Sequence, residues 1–82
     1  MAASAQIAIY PLRQERLTPA IEAVQQALQS HGLDIRPGPM STYVLGEADT
    51  IFAALQAAFA RAATKEHVVM TATISNACPI PD

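Results

Sequence analysis

Gln6-Ile7-Ala8-Ile9-Tyr10-Pro11-Leu12 is the stretch that decides how this chain is read. Strand side chains alternate between faces, so Ile7 and Ile9 point one way and Gln6, Ala8 and Tyr10 the other. The second face carries no charge, yet it is too polar for an ordinary core. The pattern returns in His67-Val68-Val69-Met70-Thr71-Ala72-Thr73-Ile74-Ser75. There Val68, Met70, Ala72 and Ile74 form an apolar face, and Val69, Thr71, Thr73 and Ser75 the other. Two such strands predict a sheet covered by helices on one side and by a partner or a small polar ligand on the other. The first strand is expected at the centre of that sheet, with Pro11, which has no N–H to donate, helping to end its pairing.

Outward from this strand, Arg13 to Arg16 read as a short polar connection. Thr18-Pro19 then marks a helix start, with a hydroxyl cap followed by proline at the first helical position. Leu17, Ile21, Val24 and Leu28 recur at helical spacing, with Glu22, Gln25, Gln26 and Gln29 opposite them. His31 suits the last turn, and Gly32 is expected as a left-handed cap. Leu33 to Pro37 alternates as a second strand, placed at an edge because Pro37 and Pro39 would break a central one. Pro37-Gly38-Pro39 turns into a third strand, Met40 to Leu45, whose faces are Met40/Thr42/Val44 and Ser41/Tyr43/Leu45. Which set meets the helices is open, and the ambiguity suggests that both sides are covered. Gly46 to Thr50 opens a second helix with acidic residues in its first turn. Its stripe is Ile51, Phe52, Leu55 and Phe59, padded by Ala58 and Ala62, with Arg61 and Lys65 toward its end. The order strand–helix–strand–strand–helix–strand predicts an α+β, ferredoxin-like fold: a four-stranded antiparallel sheet with two helices on one face, the second and fourth strands outermost.

The 82 residues make one domain, 1–82, with 51% hydrophobic and 15% charged residues. A chain this short buries only about 60% of its unfolded surface, which together with the low charge favours self-association. The net charge is −2, and Arg13, Arg16, Arg36, Arg61 and Lys65 are scattered. Nucleic-acid binding needs clustered cations and is not expected. The single cysteine, Cys78, allows no internal disulfide and no zinc-type spacing. Neither a signal peptide nor a membrane span is legible, so a cytoplasmic location is the expectation.

No catalytic set stands out. His31 and His67 read as surface histidines, Cys78 as an inert thiol with no base beside it in sequence, and Gly38 and Gly46 as isolated turn and cap glycines. No metal site is expected; His67, Met70 and Cys78 match no soft-metal clip. The uncharged face says more. Gln6, Tyr10, Thr71 and Thr73, with Ser41 or Thr42 from the third strand, offer donors and acceptors on a rigid sheet. Tyr10 and Tyr43 add ring faces. Such a set suits a flat heteroaromatic ligand, and Glu47 or Asp49 would favour a cationic ring. A dimer interface whose hydroxyls pair across it would explain the same pattern.

Ala5 to Leu12, Gly38-Pro39-Met40-Ser41-Thr42 leading to Gly46-Glu47, and His67-Val68-Val69-Met70 through Ile74-Ser75-Asn76-Ala77-Cys78-Pro79 together resemble the YkoF-type thiamine-binding family. The resemblance implies a ferredoxin-like domain that associates through its sheets and binds thiamine or its hydroxymethylpyrimidine half without catalysis and without a further cofactor. YkoF itself resembles two such domains in tandem, whereas this chain has one. Two chains, as a homodimer or homotetramer, would then supply what the tandem protein supplies in one. The family's motif positions and the uncharged face combine into a candidate ligand set of Gln6, Tyr10, Ser41, Thr42, Tyr43, Glu47, Thr71, Thr73 and Asn76. Glu47 is also a carboxylate suited to a helix N-terminus. Two other readings are a structural or regulatory oligomerisation domain without a ligand, and an acylphosphatase-like hydrolase using Arg13. The second of these lacks a Gly-rich cradle.

Overall fold

Six elements follow one another in the computed structural model, which describes residues 1–12, 18–38, 41–64 and 67–77: β1 (Ala2–Pro11), α1 (Thr18–Ser30), β2 (Asp34–Pro37), β3 (Thr42–Glu47), α2 (Ala48–Ala62) and β4 (Val68–Ser75). The four antiparallel strands form one sheet in the order β2-β3-β1-β4. The fold is therefore the expected ferredoxin-like α+β arrangement, with β1 central and β2 and β4 at the edges. The expectations for Arg13 to Leu17, Pro39, Met40, Lys65, Cys78 and Pro79 lie outside the described residues, as does the Thr18-Pro19 side-chain cap.

The alternation in β1 sorts its residues as its sequence requires. Ala5 and Ile7 are buried against α1 and α2, and Ile9 packs beside them. Register then assigns the other strands, because residues directly opposite share a face. Val44 lies opposite Ala5 and Thr42 opposite Ile7, so the Thr42/Val44 set meets the helices and Tyr43/Leu45 takes the other side. Ile74, Ala72 and Met70 lie opposite Ala5, Ile7 and Ile9. On the second face Ser4 and its partner Leu45 are nonetheless only 5% exposed each, whereas Gln6, Thr71 and Thr73 are open to solvent.

Three expectations need correction. Pairing does not stop at Pro11, which lies opposite Val68, and the next residue, Leu12, donates its N–H to the His67 carbonyl at 2.7 Å. Antiparallel residues aim their N–H groups alternately at the two neighbours. If Leu12 aims at β4, Pro11 is oriented toward the β3 side, where pairing has already ended at Ile7–Thr42. The missing donor therefore costs the ladder nothing. Secondly, Gly46 and Glu47 finish β3 rather than opening α2, whose N-cap is Glu47.

The third correction concerns α2. It faces inward with Ile51, Ala54, Ala58 and Ala62, while Phe52 and Phe59 are 57% and 46% exposed. Alanines at 54, 58 and 62 let the helix lie close to its neighbours, and the two phenylalanines, seven residues apart, fall on an outer flank. In α1 the buried stripe is Val24, Ala27 and Leu28. Gly32 has the expected left-handed conformation, with φ at +72°.

Candidate functional site

Strand β1 outruns β3. Its pairing with β3 ends at Ile7–Thr42, whereas its pairing with β4 continues to Pro11–Val68. Among the described residues this leaves a notch in the sheet beside residues 8–10. By the alternation that Leu12 fixes, Ile9 directs its N–H and C=O away from β4 and toward that notch. A pocket of about 140 Å³ opens there, between β1, the first half of α1 and the turn joining β2 to β3. Ile7, Ile9, Ile21 and Val24 give it apolar walls, while Gln25, Ser41 and Thr42 bring polar groups.

Local sequence explains each wall. Ile7 and Ile9 sit on the helix-facing side of β1. Ile21 and Val24 belong to the apolar stripe of α1, yet Ile21 remains 37% exposed, since the wall it faces is the pocket rather than packed side chains. The turn is held by the Gly38 N–H, which donates to the Ser41 carbonyl at 2.8 Å. A Cβ at Gly38 would approach that same carbonyl to 3.1 Å, so glycine keeps the turn tight.

The nine candidate residues fall into three groups. Tyr10, Ser41 and Thr42 line the pocket. Gln6, Tyr43 and Thr73 form one cross-strand row on the open face, with Thr71 next along β4. Gln6 joins these two groups, because its Nε2 donates to Ser41 Oγ at 3.1 Å. Glu47 and Asn76 lie elsewhere. Glu47 pairs with the Met1 α-ammonium at 3.2 Å, and the Asn76 amide reaches Met1 Sδ at 3.5 Å. Glu47 stands opposite Ala2, eight positions from Tyr10, or about 26 Å along the strand. No single ring can touch both.

Seven pocket residues are not among the candidates: the apolar Ile7, Ala8, Ile9, Ile21 and Val24, and also Gln25 and Gly38. Gln25 reads as solvent-side in the helical pattern, but it lies four residues after Ile21, at the margin of the apolar stripe. Gly38 reads as a turn residue only. Of the histidines, His31 hydrogen-bonds through Nδ1 to the Ala27 carbonyl at 2.8 Å, and His67 is exposed ahead of β4; neither lines the pocket. Among the described residues no group of three His, Cys, Asp or Glu side chains is placed to hold a metal ion, and no helix is long and apolar enough to cross a membrane.

This architecture places the chain among the small α+β domains of ferredoxin-like topology. It belongs to the YkoF-related family, whose model matches residues 2–81. Solved structures share its fold. A Streptococcus pneumoniae protein is 26% identical over 92% of this chain and 86% of its own, with a TM-score of 0.84. A hypothetical protein from Methanocaldococcus jannaschii is 18% identical over 98% and 84%, with a TM-score of 0.86. A Thermotoga maritima protein provisionally assigned to thiamine biosynthesis or salvage is 21% identical over 90% and 82%, with a TM-score of 0.81. No curated protein matches the chain.

Proposed function

We propose that this chain is a non-catalytic binding protein for thiamine or its hydroxymethylpyrimidine half, with the pyrimidine ring seated in the notch beside β1. The observation that carries the reading is the pocket itself: apolar walls from Ile7, Ile9, Ile21 and Val24 around a strand whose Ile9 N–H and C=O are directed into it. An aminopyrimidine presents an amine donor next to a ring-nitrogen acceptor. A strand residue presents a carbonyl acceptor and an N–H donor at matching separation, as it would to another strand. Apolar walls with a few placed polar groups are the usual make-up of small-molecule sites. Tyr10 offers a ring face at the mouth, and Ser41, Thr42 and Gln25 are placed for the hydroxymethyl substituent. Family membership supports small-molecule binding, and the Thermotoga maritima structure's connection with thiamine supports the ligand class.

A second reading, a structural oligomerisation domain, is favoured by the exposed uncharged row of Val69, Thr71 and Thr73 on β4. Association into a homodimer or homotetramer is compatible with both. Titration calorimetry of the purified protein with thiamine and with hydroxymethylpyrimidine separates them. Saturable binding at micromolar Kd or tighter, about −8 kcal/mol, is expected for both ligands. Flat heats with both, from folded protein, would remove thiamine from the account.

A further inference from the structure

One hydrogen bond joins the open face of the sheet to the pocket. Gln6 is exposed on that face, directly opposite Tyr43 and Thr73, and is not among the residues that line the cavity. Ser41, two residues before Tyr43, does line it. A side chain as long as glutamine's reaches a diagonal neighbour of this kind, and Gln6 Nε2 donates to Ser41 Oγ at 3.1 Å. The Ser41 backbone is fixed as well, since its carbonyl accepts from the Gly38 N–H at 2.8 Å. The residue is therefore held from two sides at the pocket rim.

A serine hydroxyl has one proton to give and two lone pairs to offer. An amide N–H occupies one lone pair, which turns the proton away from Gln6 and leaves it for another acceptor. We propose that Gln6 is a positioning residue: it does not touch the ligand but sets the Ser41 hydroxyl as a hydrogen-bond donor to the pocket. On the reading of the pocket as a pyrimidine site, on which this role rests, a rule of selection follows. The exocyclic carbon of the seated ring is read by a donor, so an oxygen acceptor there, as alcohol, ether or aldehyde, is matched. An ammonium group at that place sets N–H against O–H and is disfavoured. In thiamine the same carbon carries a positively charged ring nitrogen with no lone pair, so Ser41 has nothing to donate to. The site therefore favours the free hydroxymethylpyrimidine at this contact.

Two pyrimidines that differ only in that substituent test this role: the hydroxymethyl compound, whose oxygen both gives and accepts, and its methyl ether, which only accepts. Titration calorimetry gives the ratio of their Kd values, in which the ether's extra bulk is common to every variant. Gln6→Glu replaces the donor by a carboxylate that takes the Ser41 proton and leaves lone pairs toward the pocket. The alcohol can turn its own proton to them and the ether cannot, so the ratio is expected to shift about fivefold against the ether. In a Ser41→Ala background the same change at Gln6 is expected to leave the ratio as it was, which separates action through Ser41 from a general disturbance of the pocket. A shift that persists there overturns the role. So does an unchanged ratio in Gln6→Glu alone, since the Gln6 oxygen would then already face Ser41, while the pocket reading stands. A wild type that binds neither compound overturns the pocket reading, and this role with it. Should Gln6→Glu fail to fold, Ser41→Ala in otherwise wild-type protein decides: equal losses for alcohol and ether are expected of a donor, and a loss for the alcohol alone overturns it.

Discussion

Tyr10 stands at the mouth of the pocket with 46% of its surface exposed, so its ring is accessible as a stacking platform without supporting the core. Tyr10→Ala is expected to weaken binding of hydroxymethylpyrimidine by about 1–3 kcal/mol, roughly five- to 150-fold, while thermal stability changes little. Calorimetry alongside a melting curve checks both halves of that statement. Ser41 tests the rim in another way. Its hydroxyl accepts from Gln6 in an exposed hydrogen bond, and such bonds contribute only about 0.5–1.5 kcal/mol net. Ser41→Ala is therefore expected to lower ligand affinity by more than it lowers folding stability. Equal, small effects on both would place Ser41 outside the site. Gly32 belongs to the fold alone. With φ at +72° and nothing within 4 Å of an added Cβ, Gly32→Ala is expected to cost about 1–2 kcal/mol through backbone strain only, read from denaturant unfolding.

At the scale of elements, the strands were legible in the sequence because β1 and β4 alternate without interruption, and the turn and cap glycines mark where the chain must reverse. The face of β3 was not legible. Val44 and Leu45 are both buried, so neither set of side chains betrays its side until register with β1 decides it. In α2, periodicity alone cannot distinguish an inward alanine from a flanking phenylalanine: Ile51, Ala58 and Ala62 are buried as expected and Leu55 packs against the core, but Phe52 and Phe59 widen the expected stripe onto an exposed flank. Contrasting substitutions follow. Ile51→Ala, at a fully buried position, is expected to cost about 2–5 kcal/mol, whereas Phe52→Ala is expected to cost well under half of that. Chemical denaturation of the two variants distinguishes them, and a larger loss at Phe52 would contradict the packing described for this helix.

For the whole molecule, what escaped the sequence was a mismatch of lengths. Nothing in Ile7-Ala8-Ile9-Tyr10 announces that β3 will end beside Ile7 while β4 continues to Pro11. The notch exists only once three strands are assembled, so sequence pattern alone marks neither Gln25 nor Gly38 as a pocket residue and does not separate Glu47 and Asn76, at the far end of the sheet, from Tyr10. The family's motif positions run the length of the domain, but the geometry gathers only part of them around one cavity. The measurement that tests the account most directly is a titration of isotope-labelled protein with hydroxymethylpyrimidine, followed by the isoleucine methyl and backbone amide resonances. Saturable shifts concentrated on Ile7, Ile9, Ile21 and the Ser41–Thr42 amides are the predicted result. Shifts confined to the Thr71–Thr73 face or to Glu47 and Asn76, or no shifts at all, would contradict a ligand seated in the notch.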